Sequence, residues 1–195
     1  MIAGLYDIFK HWSEKGTCWL ISDTHFNDEE LYVGTKKIER ADADEYVKLI
    51  NSKVGRKDTL IHLGDVGDLE VMKKVRGYKI LIMGNHDTGA TKYKEVFDEV
   101  YTGPVQIGEK LILSHEPLEC GWAFNIHGHI HSFTHRDDAR HMCICPEVTR
   151  QFEPVNFNRL MKSGFMSKIE TQHRKTINTA TKRKEKRGKK LGQNK

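Results

Sequence analysis

Residues 79–87 read Lys-Ile-Leu-Ile-Met-Gly-Asn-His-Asp, and this stretch decides the fold. Four apolar residues in a row, bounded by a turn signal, read as a short buried strand. The strand stops on Gly84, and three side chains follow that can bind a cation or move a proton. The same punctuation recurs on both sides. Thr17 to Ser22 (TCWLIS) leads into Asp23-Thr24-His25, and Thr59 to Leu63 (TLIHL) into Gly64-Asp65-Val66-Gly67-Asp68. Lys110 to Ser114 (KLILS) leads into His115, and Phe124 to His127 (FNIH) into Gly128-His129-Ile130-His131. Open α/β sheets form their sites beyond the carboxyl ends of the strands. Segments over a hundred residues apart are therefore expected to converge. Any one of these residues alone is an ordinary turn residue. Five strand ends restricted to ligand types are not.

Between these strands the apolar spacing is helical. Asp42 and Glu45 resemble a capping box with Asp in place of Ser or Thr. Ala43, Val47, Ile50 and Val54 then mark one helix face. Leu69, Met72 and Val75 predict a short helix, and Tyr93, Val96 and Phe97 a helical turn. Further strands are expected at 105–107 and 141–145. A last helix is expected near 156–162, with Gly164 as its C-cap. Ile2, Leu5, Phe9 and Trp12 lie on one face of an N-terminal helix within 1–16. Strand–helix alternation followed by strands predicts a layered α/β fold with two packed sheets. At 195 residues the chain suits one domain, placed at 17–167.

The net charge of +5 is unevenly distributed. Residues 173–195 hold ten Lys or Arg and one acid, or +9, whereas residues 1–172 hold 22 basic and 26 acidic residues, or −4. The tail is nearly devoid of large apolar residues, so 168–195 are expected to lack fixed structure. Its charge suits sequence-blind attraction to nucleic acid phosphates, or simple solubilisation. No apolar run approaches the ~20 residues that span a bilayer, so no membrane partner is expected. The chain starts with no basic leader and apolar run, and its four cysteines form no disulfide framework. A reducing cytoplasm fits best. Cys143 and Cys145 read as buried thiols, and His62 and His127 as core or supporting groups inside strands.

Imidazoles, carboxylates and one amide suit Zn, Fe, Mn, Co or Ni. Seven ligands exceed one ion's needs. They suffice for two ions about 3.5–4 Å apart that share a carboxylate, the arrangement for displacement at phosphorus.

In order, the motifs D-x-H, G-D-x-x-D, G-N-H-D, a lone His and G-H-x-H closely resemble the calcineurin-like metallophosphoesterase superfamily over about residues 17–162. SDTHF, HLGD, ILIMGNHD, LSHEPL and NIHGHIH look like a small single-domain prokaryotic or viral branch. MCICPEVTRQFEPVNFNRL fits that branch's closing strand and helix. The resemblance implies a four-layer αββα sandwich and a dinuclear centre. Asp23, His25, bridging Asp65 and His131 would hold one divalent ion, and Asp65, Asn85, His115 and His129 the other, manganese being the first expectation. His86 would protonate the leaving oxygen, Asp68 would orient His86, and a metal-held hydroxide would attack the phosphate in line.

Two departures bear on substrate. Leu69 replaces the Arg that follows the second Asp in the superfamily's protein phosphatases, which argues against that activity. Asn27-Asp28 replaces the Gly-His of related small enzymes. With no long cap insertion, selectivity falls to the loops 26–42, 88–92, 116–123 and 132–140, where Arg40 is a candidate cation for substrate phosphate or else a solvated residue. The expected activity is hydrolysis of a phosphodiester or nucleotide-like phosphate ester. A nuclease using the tail, a phosphomonoesterase and a non-catalytic nucleic-acid-binding module are the alternatives.

Overall fold

The computed structural model describes residues 16–29, 31–33, 36–37, 42–170, 174 and 176–184. The expected N-terminal helix within 1–16 and Arg40 lie outside the described residues. Strand β1 (Cys18–Ile21) pairs in parallel with β4 (Thr59–His62), which pairs with β5 (Tyr78–Ile82), which pairs with β6 (Glu99–Tyr101). The short β11 (Val155–Asn156) closes the other edge antiparallel to β1. A second sheet runs in the order β10 (His141–Cys143), β9 (Phe124–His127), β8 (Leu111–Leu113), β7 (Val105–Ile107). Its first three strands are parallel, and β7 is antiparallel to β8. A two-residue pair, β2 (Tyr32–Val33) and β3 (Lys36–Lys37), stands apart.

Side-chain alternation along a strand sorts the apolar residues into two cores. Leu20, Ile61, Ile80 and Ile82 face Leu111, Leu113, Phe124 and Ile126 across the two sheets. Their neighbours Ile21, Leu60 and Leu81 point the other way, onto helix α1 (Ala43–Lys53), helix α2 (Leu69–Lys73) and the segment from α3 (Ala90–Tyr93) to Phe97. Helix α1 begins as its sequence predicts: Asp42 accepts from the amides of Asp44 and Glu45, and Tyr46, Val47 and Ile50 are buried. Helix α5 (Phe157–Lys162) is capped by Asn156 and places Phe157 in the inter-sheet core. Gly164 is left-handed just beyond its end, as expected for a C-cap region.

The outer face of the second sheet is polar and buried. Asn125, His127 and His141 lie there beneath the segments 116–123 and 132–140. Asn125 Nδ2 donates to Ile112 O and Ser114 Oγ, and its Oδ1 accepts from Leu118 N at 2.8 Å. Irregular chain thus takes much of the place of the fourth layer in a mixed α/β sandwich consistent with the calcineurin-like fold. Residues 176–184 of the tail are helical and exposed throughout. Ala, Lys and Arg favour helix there without burying a face, so tertiary packing adds little. Among the described residues no helix is long and apolar enough to cross a membrane.

Candidate metal centre

Because β1, β4 and β5 run parallel, as do β8 and β9, their carboxyl ends open toward one another. The structure brings together the seven residues singled out as ligands. Asp23, His25, Asp65 and His115 are buried, His131 is half-buried, and Asn85 and His129 are exposed. Asp65 lies central: its Oδ2 is 3.6 Å from His25 Nε2 and 3.3 Å from His115 Nε2. Asp23 Oδ1 is 3.2 Å from His131 Nε2, and both Asp23 oxygens accept from His129 N at 3.1 Å. His115 Nε2 and His129 Nδ1 face Asn85 Oδ1 at 2.7 and 3.1 Å. One ligand atom each from Asp23, His25 and Asp65 lies within 4.8 Å of the others.

Three imidazoles are oriented by their other ring nitrogen. His115 Nδ1 donates to Leu63 O at 2.9 Å; a carbonyl only accepts, so this fixes the tautomer. His25 Nδ1 meets Asp28 Oδ2, and His131 Nδ1 meets Glu147 Oε2, each at 2.9 Å. Each Nε2 is thereby aimed into the cluster. Such backing is characteristic of metal-ligating histidines. His25 Nε2 is buried without a hydrogen-bond partner. A divalent cation would satisfy it, and the donor set of imidazole, carboxylate and amide fits such an ion.

The electrostatics agree. Burial works against the charge of Asp23, but His131 and His115 outweigh it and hold this carboxyl well below the usual range. Burial likewise opposes a charged His131, yet its contacts with Asp23 and Glu147 raise it to about 9. For His25 burial dominates, and its affinity for a proton falls.

Two glycines make room for this packing. A Cβ on Gly84 would strike Asp65 Oδ1, and one on Gly128 would strike Asp23 Oδ2. Asp87, quoted in the motif but assigned no role from the sequence, ties two strand ends together. Its Oδ2 accepts from Asp65 N (2.8 Å) and Gly84 N (2.9 Å), and its Oδ1 from Val66 N (3.1 Å) and Tyr93 Oη (3.0 Å).

His86 is exposed at the rim, its amide donating to Asp65 Oδ1 and its ring 5.3 Å from that of His25. No hydrogen bond joins it to Asp68. Asp68 instead accepts from Asn27 Nδ2 at 2.8 Å and caps α2 through Glu70 N at 2.9 Å. Asn27, one of the two departures in its motif, has taken the carboxylate. Asp28, the other, backs His25.

His62 is a supporting group, as expected: Gly64 N donates to its Nδ1, and its Nε2 donates to Thr24 Oγ1, which donates to Val66 O. Cys143 and Cys145 are buried, and Cys145 Sγ lies 3.5 Å from His131 Nδ1. Glu147 carried no sequence signal beyond its place in the closing segment.

The sequence profile of the calcineurin-like phosphoesterases matches residues 16–144. The chain therefore belongs to the calcineurin-like phosphoesterase family, whose members hydrolyse phosphate esters and typically bind divalent metals. Among solved structures, a protein of unknown function, AQ665 from Aquifex aeolicus, shares the fold at 24% identity and a TM-score of 0.57. That match covers 75% of this chain and 98% of that one. The Pseudomonas putida nuclease MPE matches at 22% identity and a TM-score of 0.43, over 58% of this chain and 61% of its own. YfcE, a phosphoesterase from E. coli, matches at 16% and 0.38, over 67% and 78%. No curated protein matches the chain.

Proposed function

We propose that the strand-end cluster holds two divalent cations and hydrolyses a phosphodiester or nucleotide-like phosphate ester. The observation that carries this reading is the buried, unpartnered Nε2 of His25, aimed beside Asp65 in a cluster of imidazoles and carboxylates. Asp23, His25, Asp65 and His131 would hold one ion; Asp65, Asn85, His115 and His129 would hold the other. Bound there, the ions would offset charge on the phosphoryl oxygens and make water nucleophilic near neutral pH. Manganese is the first ion to test, followed by Fe, Zn, Ni and Co.

His86 stands where an exposed imidazole can meet substrate, and it donates the proton to the leaving oxygen. Asp68 acts as a positioning residue through Asn27 and the α2 cap. Arg40 is proposed from the sequence as a contact for substrate phosphate. A cleft of about 250 Å³ beside Asn85 and His115, walled by Met83, Pro104 and Leu118, supports an ester carrying a small apolar or planar group. The basic tail and a reducing cytoplasm agree with a nucleotide or nucleic acid substrate.

The test is a hydrolysis panel with added Mn. It compares p-nitrophenyl phosphate, its bis-ester, cyclic nucleotides, dinucleotides and single-stranded nucleic acid, alongside elemental analysis. Two ions per chain, both weakened by Asp65→Ala, and turnover of the diesters are expected. One ion per chain, unaffected by Asp65→Ala, would overturn the dinuclear reading; preference for the monoester would overturn the diester assignment.

A further inference from the structure

Resting on the phosphoesterase reading above, we propose that the substrate is a single strand of nucleic acid gripped by a base on each side of the scissile phosphate. Phe133 is the stacking residue for one base, and the cleft beside Asn85 and His115 takes the other.

The first observation is where the fold leaves apolar surface. Among the described residues only Phe133 and Ile177 are large, apolar and exposed, and Ile177 belongs to the tail. Phe133 is 45% exposed. It lies two residues beyond His131, so the two Cα atoms are at most about 7.6 Å apart. A lone exposed ring is ordinary on a protein surface. This one adjoins the ligand cluster, on a domain whose other described large apolar residues are at least half-buried.

The second is rigidity. His135 N donates to Ser132 O at 3.1 Å, closing a turn with Phe133 at its first corner, and Ser132 N donates to Ile130 O at 2.9 Å. The His135 ring meets that of buried His127 edge-on at 6.3 Å, which ties the turn to the second sheet. Phe133 is thus presented on a fixed corner, and less ordering accompanies stacking there.

The third is charge. Residues 132–140 carry Arg136, Asp137, Asp138 and Arg140. Both carboxylates are engaged: Asp137 accepts from Cys143 N at 2.8 Å, and Asp138 accepts from the amides of Arg140 and His141 and meets His141 Nδ1 at 3.0 Å. Arg136 is exposed three residues beyond Phe133, with Nη1 donating to His135 O at 3.1 Å. An aromatic ring with a guanidinium nearby holds single strands without reading sequence, since the ring stacks on a base while the cation meets a phosphate.

The fourth is the cleft. It adjoins Asn85 and His115, proposed ligands of the second ion, whereas Phe133 follows His131, a proposed ligand of the first. Met83, Pro104 and Leu118 supply apolar walls for one planar base. A phosphate at the cluster therefore has an apolar feature for the group on either side of it. A cyclic nucleotide, with one base, fills half of this grip. A double strand keeps its bases paired and stacked, and offers neither.

The experiment is steady-state kinetics of the full-length, Mn-loaded protein on a dinucleotide and on the two analogues that each lack one base. Ribo and deoxyribo forms separate RNA from DNA. Removing either base should raise KM ~5- to 150-fold, with less change in kcat. Phe133→Ala should raise KM for the intact dinucleotide by a similar factor, and lose its effect on only one analogue. Thr102→Trp, which fills the cleft from an exposed position, should lose its effect on the other. Phe133→Trp should restore the wild-type KM. Urea midpoints serve as the folding control. On rapid mixing, before hydrolysis, 2-aminopurine at the base assigned to Phe133 should be quenched by wild type and not by Phe133→Ala.

Equal KM for the dinucleotide and both analogues, a Phe133→Ala loss that is the same on both, or faster cleavage of a double strand than of its single strand overturns the inference and leaves the phosphoesterase reading intact. No turnover of any dinucleotide, cyclic nucleotide or p-nitrophenyl ester by wild type overturns that reading itself.

Discussion

Asp87 accepts four hydrogen bonds with two oxygens, and its replacement separates structural from chemical contributions to the site. Three of the donors are backbone amides, buried at Asp65 and Val66 and half-buried at Gly84, and the fourth is the Tyr93 hydroxyl. In Asp87→Asn one oxygen remains. The amide will place it on the Asp65 and Gly84 side, where two N–H groups must be met. Its NH₂ then faces Tyr93, whose hydroxyl can turn to accept, and Val66 N–H, which cannot. One buried donor is orphaned, at a cost of ~1–3 kcal/mol. Asp87→Ala orphans all three amides and costs about 3–5 kcal/mol, less than three separate penalties because the loops relax. Tyr93→Phe removes one neutral donor and costs ~0.5–1.5 kcal/mol. Urea unfolding of chelator-stripped protein measures these values apart from ion binding, provided the slope m is unchanged. The expected order of loss is Asp87→Ala, Asp87→Asn, Tyr93→Phe. The alanine variant should also lose bound ion, since Asp65 N is no longer anchored. If Asp87→Asn unfolds at the wild-type midpoint, or Asp87→Ala costs no more than Tyr93→Phe, the four-bond account is wrong.

His86→Ala should keep both ions by elemental analysis yet lose ~100- to 10,000-fold in turnover, most with poor leaving groups; wild-type rates on such an ester refute the proton-donor role. Asp68→Asn should give a smaller loss, matched by Asn27→Ala, because the two side chains bond each other; a loss from Asp68→Asn alone would favour direct contact with His86. Burial disfavours a charged His141, but Asp138 and the Leu118 carbonyl outweigh it and raise its pKa. That stabilisation is complete below ~6.5 and is lost as pH rises through the higher folded value, so the wild-type minus Asp138→Asn difference in thermal midpoint should shrink on going alkaline. A chain ending at Ser167 should lose salt-sensitive binding to single-stranded nucleic acid, with a log–log slope of about −0.7 per contact, while hydrolysing a small diester normally; equal affinity at low salt leaves only solubilisation for the tail.

The central strands were legible because Ile80 to Met83 form an unbroken apolar run and Leu60, Ile61 and Leu63 nearly do, as expected of a strand buried between a helical layer and another sheet. Strand β6 was not, because Glu-Val-Tyr is three half-exposed residues at a sheet edge, where pairing rather than burial decides the conformation. Helix α4 (Pro146–Thr149) was hidden for a related reason. The apolar spacing of 141–145 suggested continuing strand, yet β10 ends at Cys143, and Pro146 is placed to start a helix. The seven proposed ligands were legible because each sits at a strand end, a position readable in one dimension. Their supports were not. Glu147, Asp87 and Asp28 act through contacts set by how loops cross, and nothing local to Cys-Pro-Glu announces that its carboxylate meets His131. The bond that Asp68 accepts from Asn27 Nδ2 was not legible for the same reason, since Asn27 lies 41 residues away in the chain.

The backbone shows how the ligands are held. Asp23, His25, Asp65 and His129 all have positive φ, at 52°, 40°, 56° and 67°, in a region that costs a non-glycine residue roughly 1–2 kcal/mol. Conformations of this kind persist only where the surroundings over-determine them. Here the strand ends are laced together beyond the sheet: Asp23 N donates to Gly64 O, His25 N to Asp65 O, Phe26 N to Val66 O and Gly128 N to His115 O, at 2.9–3.1 Å. The first three bonds continue the β1–β4 ladder past its last regular residue, and the fourth does the same for β8 and β9 in the second sheet. The left-handed turns bend each side chain out of the pleat and into the common space. Strain at four ligand positions is offset by hydrogen bonds whose only shared feature is that they enclose the cluster. The same lacing explains why Gly84 and Gly128 lack side chains: with Asp65 and Asp23 fixed this closely, neither loop has room for one more carbon.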